Sequence, residues 1–289
     1  MSKTHSHPTD WPSAMELARL LIVAVPLVAV AACSSTNGDS AKLLNPDPPG
    51  KMYATADSYL NRGSWEKAAK KFEDLDRDHP YAPEARRAMV MAAYAYYRGG
   101  KFPEAIATAR RYTTMHPGTK EAPFAHHIIA SCYFEEMSGP KNDQSSTVKA
   151  LNELRTLKSR YPNSKYAIEA DNRIRIATDT LAGKEMEVGR YYLKRRNYLA
   201  AINRFKKVVS DYQTTKQVEE ALMRLTEAYM ALGIVNEAQT AAAVLGHNYP
   251  NSRWYKDAYV LLDSKGLAPR EDSGTWLSRT FKNFPTIKL

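Results

Sequence analysis

The sequence repeats one pattern of apolar residues five times from Met52 onward. In the first copy, counted back from its final proline, an aromatic residue stands at −15, Ala at −12, large apolar residues at −8 and −5, and an aromatic residue or His at −1. Positions three or four apart share one helical face. Each copy therefore predicts a helix that the proline ends, because proline lacks an N–H. The copies end at Pro80, Pro117, Pro162, Gln213 (where the proline is missing) and Pro250.

The spacing of these copies predicts helix–turn–helix repeats. They end 37, 45, 51 and 37 residues apart, close to the 34-residue tetratricopeptide (TPR) period. The third copy is longer than this period, and its additional residues form the polar loop Ser138–Ser146. The excess before the fourth falls on a helical pattern from about Lys165 to Arg196, which predicts one long or nearly continuous helix. An ordinary multi-helix bundle is the alternative, but five copies in register favour an all-α TPR solenoid of about five repeats.

A first helix, A, precedes the turn of each repeat, as in Ala88–Arg98, Ala125–Met137 and Val218–Leu232. A Gly or its substitute near −17 allows the turn between helix A and helix B, and the Ala at −12 is small because the two helices cross there. A stack of such pairs buries one face of each repeat against its neighbours and leaves a groove lined by the A helices. Such grooves bind extended or helical peptides.

The N-terminal segment predicts secretion and lipid attachment. Residues 17–32 are almost wholly apolar, too few for a spanning helix but suited to a signal peptide. They end in Val30-Ala-Ala-Cys33, which resembles the bacterial lipoprotein signal and predicts a lipid anchor on Cys33. Ser34, in place of Asp, favours sorting to the outer membrane. The alternative is an ordinary signal peptide with a chance cysteine, and either Met1 or Met15 is the start.

These patterns divide the chain into five predicted segments. They are a signal peptide (1–32), a lipidated tether (33–51), repeats one to three (52–162), a linking helix with repeats four and five (163–262) and a C-terminal tail (263–289). The tether is expected to be flexible because its small, polar and proline-rich residues cannot bury enough surface to fold. Disorder is also expected for the tail, and an amphipathic segment that docks on the stack or on a partner is the alternative.

The net charge of +10 favours anionic partners, such as acidic protein surfaces or lipid headgroups. Nucleic acid is not expected to bind a secreted lipoprotein. The densest basic cluster flanks the turn of the fourth copy and comprises Lys194, Arg195, Arg196, Arg204 and Lys207. A solvated helix face is the usual explanation for such charges. A docking site for an acidic partner is the alternative.

No arrangement of residues predicts catalysis. The adjacent His126 and His127 point about 100° apart on a helix and do not form a two-ligand metal site. The sequence has no glycine-rich phosphate loop, and His79 and His116 take the −1 position, where other copies have Tyr. We therefore predict a protein that is not an enzyme and uses no metal or cofactor, with Cys132 as a small buried thiol.

Several short stretches resemble the BamD (ComL) family of outer-membrane assembly lipoproteins. The matching stretches are Tyr53-Ala-Thr-Ala56, Gly63-Ser-Trp65, Ala93-Tyr-Ala-Tyr-Tyr97, Tyr161-Pro-Asn-Ser164, Arg190-Tyr-Tyr192 and Ala201-Ile-Asn-Arg204. The resemblance covers about residues 33–259, and the tether, the repeat count and the linking helix also fit it. Gln213 in place of proline and the C-terminal tail depart from the family's pattern.

The resemblance implies a scaffold of the β-barrel assembly machine on the periplasmic face of the outer membrane. The N-terminal repeats would receive the C-terminal strand of unfolded barrel proteins, with Tyr53, Tyr94 and Tyr97 in the groove. Core packing is an equal alternative for Tyr94. The C-terminal repeats would dock the last periplasmic (POTRA) domain of a BamA-type central subunit.

Within that docking interface the resemblance implies that Arg204 is a partner contact, and other assembly lipoproteins would be further partners. The substitution Arg204→Glu is then expected to weaken docking with little change in melting temperature. The alternative function is a TPR lipoprotein that coordinates cell-wall synthesis or division, which would co-purify with peptidoglycan synthases instead of a barrel protein.

Overall fold

The computed structural model describes residues 47–282, and within them the chain is helical, with no β-strand. The chain divides into two compact units, Met1–Lys51 and Met52–Leu289, and the packing described below is that of the second. The predicted all-α class is confirmed. The helices are α1 (Pro49–Asn61), α2 (Trp65–Asp78), α3 (Pro83–Arg98), α4 (Phe102–Met115), α5 (Ala122–Glu135), α6 (Ser145–Arg160), α7 (Lys165–Lys194), α8 (Tyr198–Asp211), α9 (Gln217–Ala231), α10 (Val235–Asn248), α11 (Arg253–Asp263) and α12 (Trp276–Lys282).

The helices pack as the repeats predict. From α2 to α11 each helix contacts the next along the chain, and α3, α5, α7, α9 and α11 also contact one another in that order. These odd-numbered helices therefore lie side by side and form one surface, here named the A-helix face. The even-numbered helices α2 to α10 are the B helices, and α11 is an extra A helix after the fifth pair.

The repeated pattern forms the core of the B helices. The residues at −12, −8 and −5 have no exposed surface in any of the five copies, which confirms the predicted helical register. They are Ala68, Phe72 and Leu75; Ala105, Ala109 and Tyr112; Ala150, Leu154 and Leu157; Ala201, Phe205 and Val208; and Ala238, Ala242 and Leu245. Burial of apolar side chains drives the packing of each pair, at about 25 cal/mol per Å² removed from water.

Every B helix ends in the same way. The residue at −1 is the C-cap, with φ between −129° and −137°, and its N–H donates to the carbonyl four residues earlier. This explains the position taken by His79 and His116, which the sequence predicted to be structural. The fourth copy ends identically at Tyr212 although Gln213 replaces the proline, so the cap geometry does not depend on the proline.

Four of the five turns between A and B helices use a left-handed residue at −17, and the third copy, with its longer connection from Glu135 to Ser145, does not. Gly63, Gly100 and Gly233 have φ of 73°, 71° and 74°, and Arg196 occupies the corresponding position in the fourth copy with φ 61°. Among the described residues, Arg196 is the only non-glycine residue with positive φ. A side chain in this conformation costs free energy because Cβ crowds the carbonyl oxygen.

The long helix predicted before the fourth repeat is confirmed as α7, which has 30 residues. It begins at the N-cap Ser164, whose side chain accepts a hydrogen bond from the Ala167 N–H, and no proline interrupts it. Gly189 allows the close approach of α8, because a Cβ there would lie 2.4 Å from the ring of Phe205. The linking helix is thus also the A helix of the fourth repeat.

The predictions for the N-terminal tether and the C-terminal tail both need correction. The first helix begins at Pro49, so the folded part starts before the predicted end of the tether at Lys51. Disorder of the tail is wrong for residues 267–282, because this segment docks on α10 and ends in α12. Cys33 lies outside the described residues.

Specific contacts hold the tail on α10. The buried Gln239 side chain donates to the Ala268 carbonyl at 2.7 Å, and the Trp276 N–H donates to Glu237 Oε1 at 2.9 Å. Leu277 has no exposed surface. Polar side chains of α10 form hydrogen bonds with the backbone of the tail. Backbone groups are the same in every residue, so the sequence gives no pattern from which these contacts could be predicted.

Candidate peptide groove and docking turn

Aromatic side chains from three successive A helices form a row on the A-helix face. The ring centroid of Phe124 lies 5.6 Å from that of Tyr94 on α3 and 5.3 Å from that of Tyr166 on α7, and His127 lies 4.8 Å from Tyr166. All four side chains are half-buried. A row of rings with one open side offers apolar contact to an extended chain laid across the helices.

The predicted groove residues Tyr53, Tyr94 and Tyr97 are also half-buried. The Tyr94 hydroxyl accepts from Arg98 Nη1 at 2.7 Å, while its ring belongs to the aromatic row. Tyr53 packs edge-on against Phe72 at 5.3 Å. Each of these residues is therefore partly packed and partly exposed. For Tyr94, the groove role and core packing thus each account for part of the side chain.

Basic side chains lie near Tyr53 and near the His127 end of the aromatic row. The guanidinium of Arg87 stands 5.4 Å from the Tyr53 ring, and Arg173 Nη1 donates to Ser131 Oγ at 2.6 Å. Burial, followed by the charges of Arg173 and Lys165, lowers the pKa of His127 to about 4. His127 is therefore neutral at pH 7 and adds to the row as an uncharged ring.

A hollow of about 440 Å³ lies beside Phe124 and Tyr166, two of the four residues of the aromatic row. Its lining residues come from α3, the start of α5 and the start of α7: Arg87, Val90, Met91, Lys120, Glu121, Phe124 and Tyr166. Sequence reasoning missed Phe124 and Tyr166. They sit outside the repeated B-helix pattern, and only the packing of neighbouring A helices shows which of their aromatic residues stay uncovered.

The second candidate site is the turn between α7 and α8. Lys194, Arg195 and Arg196 are exposed there, and the Arg195 guanidinium lies 4.5 Å from the centroid of the Tyr191 ring. Tyr191 is 52% exposed and Leu199 is 65% exposed, and sequence reasoning missed both. The turn thus presents cations together with uncovered apolar side chains, a combination that suits a protein surface.

The other two predicted cations lie apart from the turn. Arg204 Nη1 and Lys207 Nζ contact the two carboxylate oxygens of Glu185 on α7, at 3.0 and 2.9 Å. Burial of Glu185 opposes its ionisation, but the hydrogen bonds from Lys207 and Arg204 outweigh burial, so its pKa is lowered. The structure therefore divides the predicted cluster into three exposed cations at the turn and two that pair with Glu185.

This ion pair changes the expectation for Arg204→Glu. The Glu185 side chain is only 11% exposed, and a second carboxylate beside it would be repelled where water screens little. From this contact we expect the variant to lower the melting temperature, in place of the small effect expected from the sequence. A loss of docking in that variant would not separate binding from stability.

Comparison with known proteins decides the family. The YfiO family, described as outer membrane lipoprotein, matches residues 46–245.

The chain belongs to this family.

Curated relatives carry one common description, "Outer membrane protein assembly factor BamD". The protein from Caulobacter vibrioides is 43% identical in an alignment of 252 residues that covers 85% of this chain and 83% of the relative. The protein from Rickettsia prowazekii is 36% identical, over 86% of this chain and 98% of the relative. That from Neisseria meningitidis serogroup A is 33% identical, over 83% and 94%. The resemblance stated from the short sequence stretches is confirmed.

Other features of the described residues bear on the predicted class of site. Between residues 47 and 282 no helix is both long and apolar enough to cross a bilayer. The same residues contain no cluster of three or more His, Cys, Asp or Glu side chains placed to hold a metal ion. Cys132 is fully buried, and burial raises the pKa of its thiol to about 12, so the predicted buried thiol is confirmed.

Proposed function

We propose that this protein is an assembly factor for outer-membrane β-barrel proteins, acting as a scaffold and not as an enzyme. The proposal is carried by sequence identity with proteins described as outer membrane protein assembly factor BamD. This identity extends over most of this chain and most of each relative. In this proposal Cys33 carries the lipid that holds the protein on the periplasmic side of the outer membrane. The variant Cys33→Ala should then leave the membrane fraction, and continued extraction by detergent alone would contradict lipid attachment.

The client site in this proposal is formed by the A helices of repeats one to four, which are α1, α3, α5 and α7. Tyr53, Tyr94 and Tyr97 are joined by Phe124 and Tyr166, whose rings are partly open above a hollow. An unfolded barrel strand alternates polar and apolar side chains, so one of its faces can rest on these rings while its other face stays in water.

Binding of a labelled strand peptide to the full chain in detergent tests this site. Phe124→Ala with Tyr166→Ala should weaken binding about tenfold or more, since an aromatic contact is worth about 1 kcal/mol beyond its buried area. Phe134→Ala is a control on α5 whose ring lies outside the hollow. Equal loss in all variants would mean that stability, and not the groove, controls binding.

The second site in this proposal docks a periplasmic domain of a BamA-type central subunit at the turn between α7 and α8. Lys194, Arg195 and Arg196 would contact acidic groups, while Tyr191 and Leu199 would supply the apolar centre of the interface. Arg204 and Lys207 extend the basic surface along α8 but are partly neutralised by Glu185. Other assembly lipoproteins would complete the complex.

Affinity purification from membranes tests this docking site. The wild-type bait should recover a barrel protein with POTRA domains, and Leu199→Ser should reduce its recovery without loss of folding, because Leu199 is 65% exposed. Val260→Ser, at a similarly exposed residue on α11, is the matched control. Recovery of peptidoglycan synthases in place of the barrel protein would refute the assembly role.

A further inference from the structure

Most buried apolar side chains of the described residues belong to two large groups. The first runs from Met52 on α1 to Cys132 on α5, and the second runs from Ala182 on α7 to Leu277 on α12. Two small groups lie between the large ones, and their residues are here named the junction. They are Ala130, Leu154 and Ala170 in one group, and Leu151, Ala177 and Leu181 in the other. The smallest parts of the core therefore lie where repeats one to three meet repeats four and five.

The junction offers little apolar surface for packing. Three of its six buried residues are alanine, whereas the large groups contain Phe72, Tyr112 and Phe205 with no exposed surface. Burial stabilises in proportion to the apolar area removed from water, at about 25 cal/mol per Å². Regions with few buried apolar contacts open at a lower free energy than well-packed regions. Another contact is therefore needed if the two halves of the solenoid are to keep a fixed angle.

The connection between α5 and α6 is longer than its counterparts. It has nine residues, 136–144, and is here named the junction loop, whereas the connections between the A and B helices of the other four repeats have three residues each. The Gln144 side chain donates to the Gly139 and Asn142 carbonyls at 2.9 and 3.2 Å. Ser138 Oγ donates to the Asp143 carbonyl at 3.1 Å. These hydrogen bonds within the loop fix its shape.

The junction loop rests on α7. Pro140 lies so close to Gly183 that a Cβ at Gly183 would be 3.0 Å from Pro140 Cγ. The neighbouring Lys184 Nζ donates to the carbonyl oxygens of Lys141 and Asn142 at 3.4 and 3.3 Å. Glycine inside a helix costs about 1 kcal/mol relative to alanine, and at Gly183 it allows the close approach of the loop. The contact links a loop of repeat three to the A helix of repeat four.

Gly183 is also a point at which α7 can bend. Glycine has a larger range of backbone conformations than other residues, and Gly183 follows Ala182, where the second large group begins. The other glycine of α7 is Gly189, which lies against the Phe205 ring inside that group. A bend at Gly183 would therefore move repeats four and five as one body relative to repeats one to three.

We propose that the junction loop is a strut that fixes the angle between repeats one to three and repeats four and five. Pro140 fills the space beside Gly183, and Lys184 holds the loop backbone against the helix. Tyr212, at the end of α8, also packs on the junction, so side chains from both halves meet there. The strut concerns the geometry of the chain itself and does not depend on which client or subunit is bound.

The size of the motion that the strut prevents follows from the helix. From Gly183 to the end of α7 at Lys194 there are 11 residues, which span about 16 Å at 1.5 Å per residue. A bend of about 20°, the size of a sharp helix kink, would displace Lys194 by about 6 Å. Distances between labels on the two halves should vary by about this amount once the strut is removed.

Pulsed electron paramagnetic resonance on the full chain in detergent measures this motion. Nitroxide labels at the exposed residues Thr114 on α4 and Asn236 on α10 report across the junction. Labels at Thr114 and the exposed Lys67 on α2 report within repeats one to three. The labels are attached through an introduced ketone side chain, so that Cys33 and Cys132 are not labelled. In the wild type we expect narrow distance distributions for both pairs.

The variant Pro140→Gly with Lys184→Met removes both contacts of the strut. It should broaden the distribution across the junction by about 6 Å, while the distribution within repeats one to three stays narrow. Lys184→Met alone should give part of this broadening, and it decides the question if the double variant does not fold.

The matched control is Lys101→Met with Pro103→Gly, two exposed residues at the turn between α3 and α4. This control should leave both distributions unchanged. A broad distribution across the junction in the wild type, an unchanged one in the strut variants, or equal broadening of both label pairs would overturn the strut.

Discussion

Replacing Arg196 with glycine should stabilise the protein while it weakens docking of the central subunit. Arg196 has φ 61° at a position where the other turns of this kind have Gly63, Gly100 and Gly233. Its side chain is exposed, so its removal deletes no buried contact. Stability and binding should therefore change in opposite directions, which separates this variant from one that simply unfolds.

The magnitude follows from the backbone. A left-handed conformation costs an L-residue about 1–2 kcal/mol, and the extra freedom of glycine in the unfolded chain returns about 0.5–1 kcal/mol of that gain. The net increase in the free energy of unfolding is then up to about 1.5 kcal/mol, with a midpoint of about 0.75 kcal/mol. For a folded unit of this size, the midpoint value raises the melting temperature by about 2–3 °C.

Chemical denaturation with two control variants checks this reasoning. Arg195→Gly changes the neighbouring residue, whose φ is −88°, so no strain is relieved. The unfolded-state cost and the loss of the contact with the Tyr191 ring should both lower stability. Gly233→Arg places a side chain at φ 74°, where a Cβ would meet no atom within 4 Å, so the loss should come from backbone strain alone. A lower stability of Arg196→Gly, or an unchanged stability of Gly233→Arg, would refute the argument.

Three further predictions concern the interior. Gly189→Ala should lower stability by about 1–3 kcal/mol, because its Cβ would lie 2.4 Å from Phe205 Cε1; an unchanged denaturation midpoint would contradict this. Arg204→Glu should also destabilise, by about 1–3 kcal/mol, through the nearly buried Glu185, and Arg204→Lys should restore most of the loss in the same assay. For His127, the folded pKa of about 4 lies below its ordinary 6.5, so the unfolded chain binds the proton more tightly. Stability should fall as pH drops from about 6.5 to 4, by about 2 kcal/mol at pH 5, and His127→Phe should remove this share of the pH dependence in melting curves; an identical pH profile would refute it.

The B helices could be predicted from the sequence because their information is local. Residues at −12, −8, −5 and −1 recur along one helix, so their spacing alone defines a buried face, and the structure buries the first three positions completely in every copy. The exceptional turn was also present in the pattern: Arg196 falls at −17, where three other copies have Gly. Comparing the copies position by position therefore already indicates that Arg196 takes a backbone conformation that glycine prefers.

The candidate sites were less predictable because they depend on contacts between helices. Phe124 and Tyr166 are ordinary apolar residues of A helices, and their partial exposure depends on how far the next A helix covers them. The contact of Arg204 with Glu185 joins residues 19 apart and depends on the register of α8 against α7. The tail was mispredicted for the same reason, since Gln239 holds it through a backbone carbonyl.

The helix α7 takes part in both candidate sites. Tyr166, near its start, belongs to the aromatic row, and Tyr191, near its end, belongs to the docking turn. These residues are 25 positions apart in one continuous helix, which corresponds to about 38 Å at 1.5 Å per residue. A helix of unbroken hydrogen bonds fixes that distance far better than two short helices joined by a loop would. The longest interval between repeats is therefore the element that fixes the distance between the two candidate sites. In the proposed function, this distance separates a bound client from the central subunit.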